Sequence, residues 1–427
     1  MSTSHTPADQ ALPGETGDQR YLVVSSDSHT GPLLKEQLRE YCDDRYLEDF
    51  DRFTAEAEIQ NELPVLNEHF PDDLMDRRRW NGSTKGLIDA NERLRDMDES
   101  GIAASVLYHG GQNGQEVPFS TSAATSAAVD YSSFQELEAV GIHIYNRWLA
   151  DFVSVAPDRL VGSVHIPVHD VDASIKEIEW ARSVGLTAVN LPAPRRDFTT
   201  YEQPQWDPFW EACAANEMVL NTHAGAGDSV RYLGPAANAL FMMEMNFYAR
   251  RAAWLMILSG VFERFPTLKL VLTEQSNDWI TATLSDMDSV YHSYFATDLR
   301  RVLPREPSSY WQTNCFVGAS FMSGPEARAA VEQDLVDSLM WGDDYPHLEG
   351  TWPRTREAMQ ATFHGIEPSA VARLIGENAV GVYGLDREAL GAIAERVGPT
   401  HAELAVAPNR SPDDFGGLAF RVRGKFS

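Results

Sequence analysis

Short runs of β-branched and aliphatic residues alternate along the chain with longer stretches of amphipathic, helix-like spacing. The β-rich runs fall at 22–26, 104–108, 160–166, 188–191, 218–222, 268–273, 315–317 and 338–341. Eight strands are therefore expected. Segments such as 172–183, 208–216 and 278–291 carry apolar residues three and four apart, which predicts helices between the strands. Repetition of strand then helix implies a parallel sheet, and eight units favour an α/β fold of the (β/α)8 TIM-barrel type over an open sheet.

Three stretches depart from a minimal barrel. Residues 30–90 are rich in Asp, Glu, Arg and aromatics, and residues 109–150 run through a Gly/Gln/Ser/Thr loop into a helix ending near Trp148. Insertions of this kind belong on the catalytic face. Residues 239–262 are dense in Leu, Met, Phe, Tyr and Trp around Arg250 and Arg251. They read first as a buried helix or an oligomer interface, and second as an apolar wall for a bulky substrate. The expected organisation is a disordered segment 1–20, a barrel over 21–386 and a C-terminal extension over 387–427.

Composition narrows the class. With 427 residues, 43% hydrophobic and 23% charged, the chain suits one large globular enzyme. A formal net charge of -28 opposes nucleic acid and anionic membranes as partners, and the basic run Arg421, Arg423 and Lys425 reads as a tail. Cys42, Cys213 and Cys315 are far apart and form no Cys-x-x-Cys pair, which fits a reducing cytoplasm better than a disulfide framework. No signal-peptide layout is apparent at the N-terminus, and no apolar run approaches the roughly 20 residues of a membrane span.

Six possible metal ligands lie at or just past the ends of these strands: Asp27, His29, His165, His223, Glu274 and Asp344. That is where a TIM barrel assembles its active site. In extended chain Asp27 and His29 point to the same side and can grip one ion. An Asp and a His beside Ser28 are equally at home in a turn or a helix cap. His223 closes the fifth run in Leu-Asn-Thr-His-Ala-Gly, where small residues leave space beside the ring. Asp344 belongs to Trp-Gly-Asp-Asp-Tyr-Pro-His, and one of its two aspartates could cap a helix starting near Pro353. His165 reads equally as a ligand or as a hydrogen-bonded supporting residue, and Glu274 as a ligand, a salt-bridge partner or a general base.

As a set, Asp27-Ser28-His29, His223-Ala-Gly, Glu274-Gln-Ser-Asn-Asp-Trp279 and Trp341-Gly-Asp-Asp-Tyr-Pro-His347-Leu-Glu-Gly resemble the amidohydrolase-related, decarboxylase-like family of metal-dependent barrels, from about Tyr21 to Leu385. The resemblance implies ligands from the first, fifth and eighth strands, with Asp344 in the eighth-strand position. Two departures stand out: Asp27 replaces the first His of His-x-His, and Glu274 stands where decarboxylase-like members place a catalytic histidine. Three carboxylates and three imidazoles would suffice for two ions. That combination resembles the nonheme diiron monooxygenases of platensimycin and platencin diterpenoid biosynthesis, also built on this barrel. The resemblance implies two Fe ions, O2-dependent hydroxylation of a bulky apolar diterpenoid acid or thioester in antibiotic biosynthesis, and a ferredoxin with its reductase as partners. The alternative is one Zn or Mn on Asp27, His29, His223 and Asp344, with Glu274 or His347 moving protons in hydrolysis or nonoxidative decarboxylation. A homo-oligomer is compatible with either.

Overall fold

The computed structural model describes residues 19–62, 80–119, 132–224 and 234–409. All eight expected runs are strands: β1 (Val24–Thr30), β2 (Ala104–His109), β3 (Leu160–Val164), β4 (Ala188–Asn190), β5 (Val219–His223), β6 (Lys269–Thr273), β7 (Cys315–Ser320) and β8 (Leu339–Gly342). They form one parallel sheet in sequential order. The expected helices appear at Val171–Ser183, Asp207–Ala215 and Ile280–His292. Most strands are buried on both faces and correspondingly apolar, the pattern of a parallel sheet covered by helices.

The first strand is the exception. Its sequence, Val-Ser-Ser-Asp-Ser-His-Thr, is polar yet wholly buried, so its polar side chains need partners inside the fold. Ser28 Oγ donates to the Val106 carbonyl at 2.9 Å, Ser26 Oγ to the Met340 carbonyl at 3.1 Å and Ser25 Oγ to Asp343 Oδ1 at 2.6 Å. With those partners the strand runs on to Thr30, past the expected end at residue 26. Asp27 and His29 therefore sit within β1. The β1–β2 register slips between Ser25 and Ser28, a local irregularity of the kind that re-aims side chains.

The sheet returns on itself just beyond β8. Asp344 N donates to the Asp27 carbonyl at 3.0 Å, and His29 N to the Tyr345 carbonyl at 2.7 Å. At this seam a Cβ added to Gly342 would stand 2.8 Å from Asp27 Cβ and 3.0 Å from its backbone nitrogen. Only glycine lets β8 approach β1 so closely.

The two insertions pack on each other. Phe53, in the helix Leu47–Glu62, meets Phe119 and Phe134 with ring centroids 5.4 Å away in each case. At the opposite end of the chain, Tyr21 N donates to the Pro399 carbonyl at 2.9 Å and its ring stacks on His401 at 4.0 Å. The C-terminal residues thereby strap the entry to β1.

The apolar stretch 239–262 is helical over Ala237–Leu258 and only half buried. Ala252, Ala253, Met256 and Ile257 join the core, whereas Met243 and Phe247 are 70% and 52% exposed. No helix among the described residues is long and apolar enough to cross a membrane. The basic residues Arg421, Arg423 and Lys425 lie outside the described residues, as do residues 1–18.

Replacing Gly342 by Ala should force β8 away from Asp27 and cost about 1–3 kcal/mol, as overpacking does. Urea denaturation of the variant against the parent checks this.

Candidate metal centre

Five of the six predicted donors converge at the carboxyl end of the barrel. β1 supplies Asp27 and His29, β5 supplies His223, and the segments after β6 and β8 supply Glu274 and Asp344. Asp27, His29 and His223 offer atoms all within 4.8 Å of one another, as do His29, Asp344 and His347, and Glu274, Asp344 and Glu349. His29 Nε2 is the common point, 3.0 Å from Asp344 Oδ1 and 3.5 Å from Asp27 Oδ1. Asp27 Oδ1 lies 3.2 Å from His223 Nε2.

The other nitrogen of each imidazole is committed to the backbone. His29 Nδ1 lies 3.2 Å from the His109 carbonyl, and His223 Nδ1 lies 2.9 Å from the Ala224 carbonyl. A ring that donates Nδ1–H to a carbonyl presents the Nε2 lone pair to the centre, the arrangement that supports a metal-ligating histidine. Asp27 is held from behind by the Ser320 hydroxyl at 2.5 Å. Of the adjacent aspartates, Asp343 faces Ser25, and only Asp344 faces the histidines.

Asp344 and Glu274 have positive φ, 52° and 57°, a conformation uncommon for non-glycine residues and frequent where a side chain is aimed for function. Burial, with Asp344 adding to it, pushes the Glu274 carboxyl up to about 8. Burial would lower His347, but Asp344 outweighs it and the ring is raised to about 10. For His223 the same opposition, with Asp27 as the carboxylate, gives about 9. His347 stacks on His29 at 3.8 Å, with Nδ1 3.1 Å from Asp344 Oδ1 and Nε2 2.5 Å from the Gly110 carbonyl.

This donor set fits a divalent cation. Asp27 and Asp344 are fully buried and face one another across His29, and Asp344 Oδ2 has no hydrogen-bond partner among the described residues. Buried carboxylates so placed call for compensation by protons or a cation, and mixed oxygen and imidazole donors suit Mn, Fe or Zn.

His165 stands apart. It belongs to none of the three converging groups and lies beside His109, ring centroids 6.0 Å apart. His109 itself escaped the sequence reading, although Leu-Tyr-His-Gly-Gly has the same form as the segment around His223. Glu349 and Arg93 were also missed. Arg93 donates to Ser28 Oγ at 3.1 Å and to the His29 carbonyl, and its guanidinium lies 4.0 Å over the Tyr345 ring.

The family model described as Amidohydrolase matches residues 38–385, and the chain belongs to that family. Gamma-resorcylate decarboxylase of Polaromonas sp. (strain JS666 / ATCC BAA-500) is 26% identical over 230 residues, a match covering 49% of this chain and 65% of that protein. The chain thus spans just under two thirds of that relative's length. Among solved structures, 5-carboxyvanillate decarboxylase LigW from Sphingomonas paucimobilis superposes with a TM-score of 0.57 at 18% identity, covering 86% of this chain and 100% of the other. Dihydroxybenzoic acid decarboxylase from Polaromonas sp. JS666, solved with manganese and the inhibitor 2-nitroresorcinol, gives 0.55 at 18% identity over 86% and 98% of the two chains.

These relatives correct the expectation of an O2-dependent diiron monooxygenase of diterpenoid antibiotic biosynthesis. The named proteins that the chain resembles are decarboxylases, not oxidoreductases, and one carries manganese. The geometry supplies a reason for the error. The two-iron expectation rests on six donors acting together, and among the described residues His165 is in none of the groups that the other five form.

Asp344→Asn should reduce manganese affinity by at least about tenfold while circular dichroism stays unchanged. Metal affinity should also rise with pH. His223, raised to about 9, must lose its proton to ligate, so affinity should increase by about tenfold per unit from pH 6 to 8 and level off above 9. Titration with manganese at several pH values checks the slope.

Proposed function

We propose that the protein is a metal-dependent, nonoxidative decarboxylase of a hydroxylated aromatic acid. One observation carries the reading: a buried cluster of Asp27, His29, His223 and Asp344 with an unpartnered carboxylate oxygen, in a chain whose relatives are named decarboxylases. Those four residues would hold one divalent ion, manganese by analogy with the dihydroxybenzoic acid decarboxylase. Such an ion anchors the acid and draws electron density from it.

Glu274 then performs the proton transfer. Its carboxyl is buried beside Asp344, and burial raises it toward the protonated form that a proton donor needs. When the bond between ring carbon and carboxyl carbon breaks, the electron pair stays on the ring carbon. The Glu274 proton is delivered to that carbon as CO2 leaves, so charge and atoms balance. His347 holds Asp344 in place through Nδ1 and is itself fixed by the Gly110 carbonyl. Decarboxylation of this type consumes no electrons, so no ferredoxin or reductase is required.

The test is release of CO2 from a panel of hydroxybenzoates by manganese-loaded protein under nitrogen. Glu274→Gln, which keeps the shape but loses the transferable proton, should slow turnover about 10²- to 10⁴-fold without removing the metal. A fully loaded protein that releases no CO2 from any of these acids sinks the proposal.

A further inference from the structure

Beside the metal-ligand cluster, at the ends of β2 and β3, two histidines are held firmly by their backbones while three of their four ring nitrogens have no hydrogen-bond partner among the described residues. His109 accepts from His29 Nδ1 through its carbonyl, and its ring sits 5.2 Å from Tyr145 and 6.0 Å from His165. His165 is clamped by one side-chain amide. Its N–H donates to Asn146 Oδ1 at 3.0 Å, and Asn146 Nδ2 donates to its carbonyl at 2.9 Å. The same Nδ2 also donates to Glu177 Oε1 at 2.8 Å, so the clamp is itself anchored. Between the rings, Tyr145 spends its hydroxyl on Thr30 Oγ1 at 3.0 Å.

Every polar group of that framework is satisfied except the imidazoles. His109 Nδ1, His109 Nε2 and His165 Nε2 have no hydrogen-bond partner among the described residues, although the two residues are only 6% and 4% exposed. Each such group costs about 1–3 kcal/mol. A histidine serving only the core normally has its ring nitrogens satisfied, and two adjacent buried rings that aim unpaired nitrogens beside a metal-ligand cluster are suited to a polar partner from outside the chain.

We infer that His109 and His165 form a recognition subsite that binds a hydroxyl or carbonyl oxygen of the substrate, beyond the atoms anchored at the metal. The inference rests on the decarboxylase reading of the neighbouring cluster. An imidazole with an acidic partner would be committed to it, and neither ring has one among the described residues. Each can donate from one nitrogen and accept at the other, which matches an uncharged hydroxyl. The favoured ligand is therefore an aromatic acid with a second hydroxyl, over one with a single hydroxyl. Loss of a buried hydroxyl partner is the change a hydrogen-bonding site rejects most strongly.

The experiment compares 2,6-dihydroxybenzoate with salicylate by calorimetric titration of manganese-loaded protein, in the parent, His109→Phe and His165→Phe. The parent should bind the dihydroxy acid at least about tenfold more tightly, and either variant should bring the ratio to within about threefold. Phenylalanine keeps a ring in place and removes the unpaired nitrogens, so the Tm of each variant should stay level or rise. Bound manganese should be unchanged. A ratio unaltered in both variants overturns the subsite and leaves rings that hold only water. So does a parent without preference, and so does a fall in Tm of several degrees with the preference intact, which would make the rings core side chains. Turnover is not part of this readout. A protein that keeps a His109- and His165-dependent preference yet releases no CO2 defeats the decarboxylase reading alone, whereas CO2 release with no dependence of binding on these residues defeats the subsite alone.

Discussion

Negative charge concentrated at the buried end of the barrel is the constraint on which this structure turns. Asp27 and Asp344 lie fully buried around the His29 ring, with Glu274 and Glu349 next to Asp344. A protein interior does not tolerate such a group of carboxylates unless protons or a cation compensate them. The chain is built to accept either form of compensation. Protons are drawn to His223, His347 and Glu274, each raised above its ordinary value where it faces the cluster, and the Nε2 lone pairs of His29 and His223 are set up to share an ion. Binding and protonation are thus competing solutions to one electrostatic problem.

Much of the surrounding architecture keeps those charges in place. The seam between β1 and β8 is made of backbone bonds from the ligand residues themselves, Asp344 N to the Asp27 carbonyl and His29 N to the Tyr345 carbonyl. Arg93 is buried against this seam, bonded to Gly86, Ser28 and His29 and lying over Tyr345. The Tyr345 hydroxyl in turn reaches Asp96 at 2.5 Å. Ligand atoms fixed by main chain and buried side chains at once have little freedom to rearrange, which is the preorganisation a catalytic site needs.

The barrel was legible because eight β-rich runs with helical spacing between them admit few other topologies, and the donors were legible because each sits where such a run ends. What the pattern could not convey was direction. His165 and His223 obey the same positional rule, yet only His223 reaches the cluster; His165 has its backbone pinned by Asn146 and its ring beside His109. Asp343 and Asp344 are neighbours, and a serine on β1 draws one of them away. The expected end of β1 falls short because Ser28 and Thr30 look like loop residues until their partners on the neighbouring strand are known. Glu349 lies in the loop after β8, whose path no periodicity describes, and Arg93 is a charged residue on the buried face of the helix Ala90–Ser100, where the pattern favours an apolar one. Counting donors alone thus pointed to an oxygenase chemistry that the decarboxylase relatives do not share.

The seam also ties the site to the order in which the chain acquires structure. His29 and Asp344 are 315 residues apart, and their side chains meet only when the last strand has docked on the first. A chain still emerging from the ribosome, or one whose final strand has come loose, has no complete set of ligands to offer. An ion held here binds the finished barrel in preference to any partly formed state, so its binding energy adds to the stability of closure. The two ends of the chain are thus held together at the same point where the donors meet.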